Sequence, residues 1–115
     1  MSNVKNDSRT QFVRGTLDLM ILRSLESLGP LHGYAIAARL EQVSRGALVP
    51  NMGTLYPGLM RLEQRGLIRA SWGVTENNRK ARYYQITAAG RRALAAEKKE
   101  WDRMVSIMHA LFGEA

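Results

Sequence analysis

Apolar residues recur at three- and four-residue intervals through the first half of the chain. Leu17, Met20, Ile21, Leu25 and Leu28 predict a first helix over about 16–28. Thr16 is a candidate N-cap, and Asp18 sits in the first turn, where a negative charge suits the helix dipole. Gly29-Pro30 stops it. Ile36, Ala37, Leu40 and Val43 carry the same spacing into a second helix over about 33–44, which ends at Ser44-Arg45-Gly46. After a short connector, Asn51 caps a third helix over about 52–65. Its buried stripe is Met52, Leu55, Leu59 and Leu62, and Gly66 stands where a C-terminal left-handed residue belongs. Pro57 lies inside this helix and removes one backbone bond, which predicts a local kink or a late start near Thr54.

The period then changes. From Leu67 to Thr75, Ile68, Ala70, Trp72 and Val74 alternate with polar positions, which predicts a strand. Trp72, placed in a strand, is expected in the core. Residues 76–80 form a polar turn, and Ala81 to Thr87 is a second β-rich run, so the two strands make a hairpin with a basic tip. Thr87 caps the last element, Ala88 to Phe112, which contains no proline and could extend ~37 Å as a helix. Trp101, Met104, Val105, Met108, Leu111 and Phe112 make an apolar stripe on its second half. That stripe either folds back on the first helix or is covered by another subunit.

The chain of 115 residues is long enough for one domain. No apolar run reaches the ~18 residues that would span a bilayer. The polar start MSNVKNDSRT lacks a hydrophobic signal core, so a soluble, cytoplasmic protein is the expectation. The absence of cysteine excludes disulfides and thiolate chemistry, and no metal site or cofactor is expected. Two histidines, His32 and His109, and acids scattered over separate elements offer no convergent set of titratable groups, so no enzyme is expected. The formal charge of +7 is unevenly placed: residues 45–82 carry seven basic and two acidic side chains. Such an excess favours a polyanionic partner.

Helix, helix, helix, strand, strand, helix is the order of a winged helix-turn-helix: a mainly α fold with a small β-hairpin and a long C-terminal helix. The expected organisation is a flexible arm over 1–14, the winged helix-turn-helix over 15–87 and a dimerisation helix over 88–115. A helix fits the DNA major groove, and a hairpin reaches a neighbouring groove or phosphate. With its apolar stripe inward, the third helix turns Thr54, Pro57, Arg61, Gln64 and Arg65 outward, with Tyr56 at the boundary and Glu63 near the buried side or rim. Thr54, Tyr56 and Arg61 are the expected groove contacts. Arg65, Arg79, Lys80 and Arg82 are expected to meet phosphates mostly, and Asn51 and Tyr34 join the DNA-facing set. His32 is expected to cap the second helix locally, while Tyr34 either adds a phosphate contact there or packs in the core.

Five pieces of the chain, in order and with matching gaps, resemble the PadR family of bacterial transcriptional regulators. They are Arg14-Gly15-Thr16-Leu17, His32-Gly33-Tyr34, Gly53-Thr54-Leu55-Tyr56-Pro57, Arg61-Leu62-Glu63 with Gly66-Leu67-Ile68, and Arg82-Tyr83-Tyr84-Gln85-Ile86-Thr87 with Gly90. Trp101 falls where the family often has a tryptophan. The resemblance implies a homodimeric repressor that binds a two-fold symmetric DNA operator, with the C-terminal helix as dimer interface. It also implies that a small aromatic effector stacks on an aromatic of that helix in some members. Trp101, with Met104 and Met108, either lines such a pocket or packs the dimer. The alternative functions are an RNA-binding winged helix or a protein-interaction module for an acidic partner.

Overall fold

The computed structural model describes residues 16–113. The expected N-terminal arm and the Arg14-Gly15 pair lie outside them. Helix α1 spans 16–28. Strand β1 (Leu31–His32) leads directly into α2 (Gly33–Val43), followed by α3 (Met52–Gln64), β2 (Ile68–Val74), β3 (Lys80–Ile86) and α4 (Ala88–Leu111).

Three stripes make the core. Leu17, Ile21, Leu22 and Leu25 from α1 meet Ile36 and Leu40 from α2 and Leu55, Leu59 and Leu62 from α3, all nearly or fully shielded from water. Ile68, Tyr84 and Ile86 close it from the sheet, and Leu94 from α4. Burying one such side chain contributes roughly 1.5–3 kcal/mol, so α1 through α3 and the base of the sheet hold one another in place.

The expected hairpin is present, β2 pairing antiparallel with β3 from Ile68↔Ile86 to Val74↔Lys80. The sheet, however, has three strands in the order β1-β3-β2, because Leu31 and His32 add to the free edge of β3 opposite Tyr84 and Tyr83. Two residues are too few to display an alternation, which hides this strand in the sequence. His32 ends the strand and caps α2: its Nδ1 accepts the Ala35 N–H at 3.2 Å.

Helix α3 does not start late. Asn51 Oδ1 accepts the Thr54 N–H at 2.9 Å and the helix begins at Met52, running through Pro57 to Gln64. It ends in a glycine motif: Gly66, at φ +73°, lets its own N–H reach Glu63 O at 3.0 Å and the Leu67 N–H reach Leu62 O at 2.9 Å. That turn is tied to α4. Thr87 Oγ1 donates to Gly66 O at 2.7 Å while accepting the Gly90 N–H at 3.0 Å. Gly90 passes so close to the turn that a Cβ there would lie 2.1 Å from Leu67 O.

Beyond Leu94, α4 leaves the core. Trp101, Met104, Met108, Leu111 and Phe112 are all exposed, and Val105 is half-buried. The stripe does not fold back on α1; among the described residues nothing covers it. No helix among the described residues is long and apolar enough to cross a membrane.

Candidate nucleic-acid interface

Helix α3 presents a different face from the one its leucines suggest. Gly58 is buried alongside Leu55, Leu59 and Leu62, whereas Met52 is only half-buried. Replacing Met52 by Gly58 in the inward set rolls the helix by roughly 30°, at 100° per residue. The reason is packing. A Cβ on Gly58 would make ordinary contact with Ile21 Cδ1 and Asp18 Oδ1 at 3.4 Å, so a side chain longer than alanine's would meet α1, and glycine lets α3 lie close against it.

This roll redistributes the expected contacts. Arg61, expected on the outer face, is instead turned toward α1, where its Nη2 donates to Asp18 Oδ1 at 3.0 Å. Thr54 is half-buried. Gly53, Tyr56, Pro57, Met60, Gln64 and Arg65 form the more open side. Met60, 58% exposed, was not among the expected residues. Its outward position follows from the wheel once Gly58 is counted as buried. Asn51 is exposed at the helix start, its side chain engaged as the cap. Tyr34 is exposed at the start of α2 and does not pack in the core.

The wing stands beside this face. Arg82 Nη2 on β3 donates to Glu63 Oε2 on α3 at 2.8 Å, linking the two elements directly. Glu63 is half-buried and sits at the rim of the helix. The wing tip closes through Thr75: its N–H donates to Arg79 O at 2.8 Å, and its Oγ1 accepts the Arg79 N–H at 3.2 Å. Asn78 takes φ 61°, the left-handed conformation that asparagine tolerates in tight turns. Arg79 and Lys80 are exposed there. Among the described residues, Arg65, Arg69, Arg79 and Lys80 form no ion pair, while Arg61 and Arg82 do.

Trp72 is not in the core. It is 63% exposed near the end of β2, with Lys80 Nζ 5.4 Å and Arg82 Cζ 5.9 Å from its ring centroid. At the base of the same sheet face, Tyr84 is buried, and burial pushes its hydroxyl above the ordinary value of 10.0 although Arg82 pulls the other way. Its ring packs in the core. On the other face, Tyr83 meets the His32 ring edge-on at 5.4 Å.

Helix and wing together offer hydrogen-bonding and apolar edges flanked by unneutralised cations. That arrangement suits the edges and phosphates of a duplex. No group of three or more His, Cys, Asp or Glu side chains among the described residues could hold a metal ion.

Comparison with known proteins agrees with this architecture. A transcriptional regulator of Mycobacterium tuberculosis is 33% identical over 94 residues, covering 82% of this chain and 83% of its own length. The structure of a transcriptional regulator from Clostridium thermocellum superposes with a TM-score of 0.79 at 28% identity, over 87% of this chain and 96% of that one. A PadR family regulator from Eggerthella lenta superposes with a TM-score of 0.78 at 25% identity, over 99% of this chain and 96% of its own. The sequence model of the PadR-like transcriptional regulators matches residues 21–96, from the middle of α1 through α2, α3 and the whole wing to the start of α4, and the chain belongs to that family.

Proposed function

We propose that the protein is a sequence-specific regulator that binds duplex DNA as a homodimer in the cytoplasm and represses transcription by occluding a promoter. The observation that carries this reading is the pairing of α3 with the wing. A helix face free of carboxylates lies next to a hairpin whose cations Arg79 and Lys80 have no acidic partner among the described residues. In this reading α3 enters the major groove with Tyr56, Met60 and Gln64 toward base edges. Gln matches the donor and acceptor of adenine, and an apolar side chain suits the thymine methyl. Thr54 and Asn51 flank the entry. Arg65, Arg79, Lys80, Arg82 and the Tyr34 hydroxyl meet the sugar–phosphate backbone and set register. Arg61 contributes through its hold on α1.

The uncovered stripe of α4 supports dimerisation. Trp101, Met104, Val105, Met108, Leu111 and Phe112 form a contiguous apolar strip of the kind that marks an interface. Two copies joined there are related by a two-fold axis, which makes the operator palindromic, with reading helices about one DNA turn (~34 Å) apart. A small aromatic effector would lodge against Trp101, Met104 and Met108. It would release DNA only by favouring one spacing of the two α3 helices over the other.

Selection of bound fragments from random duplex DNA tests the proposal. The expected result is a palindromic motif, bound with an affinity that falls steeply with salt, at about −0.9 log units per log unit for each phosphate neutralised. Enrichment of no motif, or a preference for structured RNA, would overturn it.

A further inference from the structure

We propose that Trp72 is a positioning residue of the wing: its indole face orients Lys80 and Arg82 for the phosphates of bound duplex DNA. The inference rests on the DNA-binding reading above and names how the wing's part of that site is built.

Tryptophan is usually shielded, yet here Trp72 lies 63% exposed, on a stretch of β2 that extends beyond the core. The register explains what surrounds it. Trp72 stands directly opposite Arg82, and Lys80 is two residues before Arg82, so all three share one face of the hairpin. Both cationic groups fall within ~6 Å of the ring centroid, the range of cation–π attraction. Two like charges are thus gathered on one ring, which their mutual repulsion opposes.

The chemistry of this arrangement gives it a purpose. A carboxylate would order a lysine by cancelling its charge. An aromatic face orders it and leaves the charge whole. Lys80 makes no ion pair among the described residues, so its full charge is available to an outside anion. Arg82 is held from two sides, by the ring and by Glu63 of α3 at 2.8 Å. That second hold fixes the charged face of the wing beside the reading helix. Placing long, flexible side chains in advance lowers the ordering cost of meeting a phosphate. The occupant consistent with two adjacent cations on the helix-facing side of a wing is the polyanionic backbone of the duplex that α3 reads.

The test uses the full-length protein and two duplex probes, the selected operator and a random-sequence fragment. Trp72→Ala should weaken binding to both by a similar factor of several-fold, because phosphate contacts carry no sequence preference. It should also make the salt slope shallower, by about 0.9 for each phosphate that is no longer neutralised. Trp72→Phe, which keeps an aromatic face, should restore most of both. The side chain is largely in water, so neither change leaves a core cavity, and circular dichroism verifies the fold. An independent readout is the emission of Trp72, isolated as the difference between wild type and Trp72→Phe. It should change on DNA addition with the midpoint of binding. Wild-type affinity and slope in Trp72→Ala, or an emission difference indifferent to DNA, would overturn the inference while leaving the DNA-binding reading intact. Failure of the wild-type protein to bind either duplex would remove the reading on which the inference rests.

Discussion

Arg61 of α3 donates to Asp18 of α1 at 3.0 Å, across 43 residues of sequence, and the pair ties the two helices together where they pack closely at Gly58. Arg61 is about one-third exposed and Asp18 less so. With Gly58 between them and the Ile21 side chain, the two helices meet without a large residue to hold them apart. Partial exposure limits the strength of the pair, since surface ion pairs contribute about 0–1 kcal/mol.

A double-mutant cycle of Asp18→Ala and Arg61→Ala, followed by urea unfolding, should therefore give a coupling of roughly 0.5–1 kcal/mol. Asp18→Asn alone should also release Arg61 toward bound DNA, raising affinity for random-sequence duplex. Zero coupling would mean that the pair contributes nothing to the seating of α3.

Gly90 should resist replacement more than any other glycine on the wing–α4 side. A Cβ would stand 2.1 Å from Leu67 O and 2.7 Å from Ile86 Cγ1, and a backbone oxygen cannot rotate away. Gly90→Ala should destabilise by roughly 3 kcal/mol, at the upper end of overpacking costs. Gly66 meets nothing within 4 Å and is strained only by φ +73°, so Gly66→Ala should cost about 1–2 kcal/mol. Thermal unfolding of the two variants separates them. Equal losses would show that the α4 start can shift off the α3–β2 turn.

The helices and the hairpin were legible because their periods are strong. Leu55, Leu59 and Leu62 announce a helix, and Asn51 and Thr87 announce the starts of α3 and α4, each an N-cap in the structure. The site was only half legible. The roll of α3 depends on Gly58, a residue with no hydrophobic side chain to mark it as inward, and without it Arg61 is placed outward and Met60 is passed over. Trp72 misleads for the opposite reason. It alternates correctly with Ile68 and Ala70, but the strand outruns the core, so one face is buried at its base and wet at its tip. Strand β1 is invisible because it is two residues long, too short for an alternation to show.

Glu63 is the acid that the interface carries at its rim. It holds Arg82 at 2.8 Å and, in the proposed complex, also places a negative charge near the path of the phosphates. Glu63→Gln removes the charge, keeps the size and frees Arg82's charge. Affinity for random-sequence duplex should rise several-fold, because the rim carboxylate no longer repels the phosphates and Arg82 no longer shares its charge with it. Preference for the selected operator over random sequence should fall, since the wing loses its fixed position beside α3. A salt-titrated gel shift on both duplexes reads the two effects together. Weaker binding to both would mean that Arg82 acts only when Glu63 holds it.

Leu111 and Phe112 are about three-quarters exposed, and Met108 lies on the same side of α4 one turn earlier. Beyond Leu94 this helix has no buried residue, so its second half gains no stability from the core of its own chain. A helical segment with an uncovered Trp–Met stripe is stable in water chiefly when packed against a partner. Met108→Asp with Phe112→Asp places two buried, unpaired carboxylates in any seam formed by that stripe. Sedimentation should turn from dimer to monomer, while circular dichroism retains the signal of α1 to α3 and the wing. Operator binding should then drop far more than the affinity of one reading helix for random-sequence duplex, because the two half-sites are no longer engaged by a linked pair. A dimer that persists with both aspartates in place would put the seam on another surface.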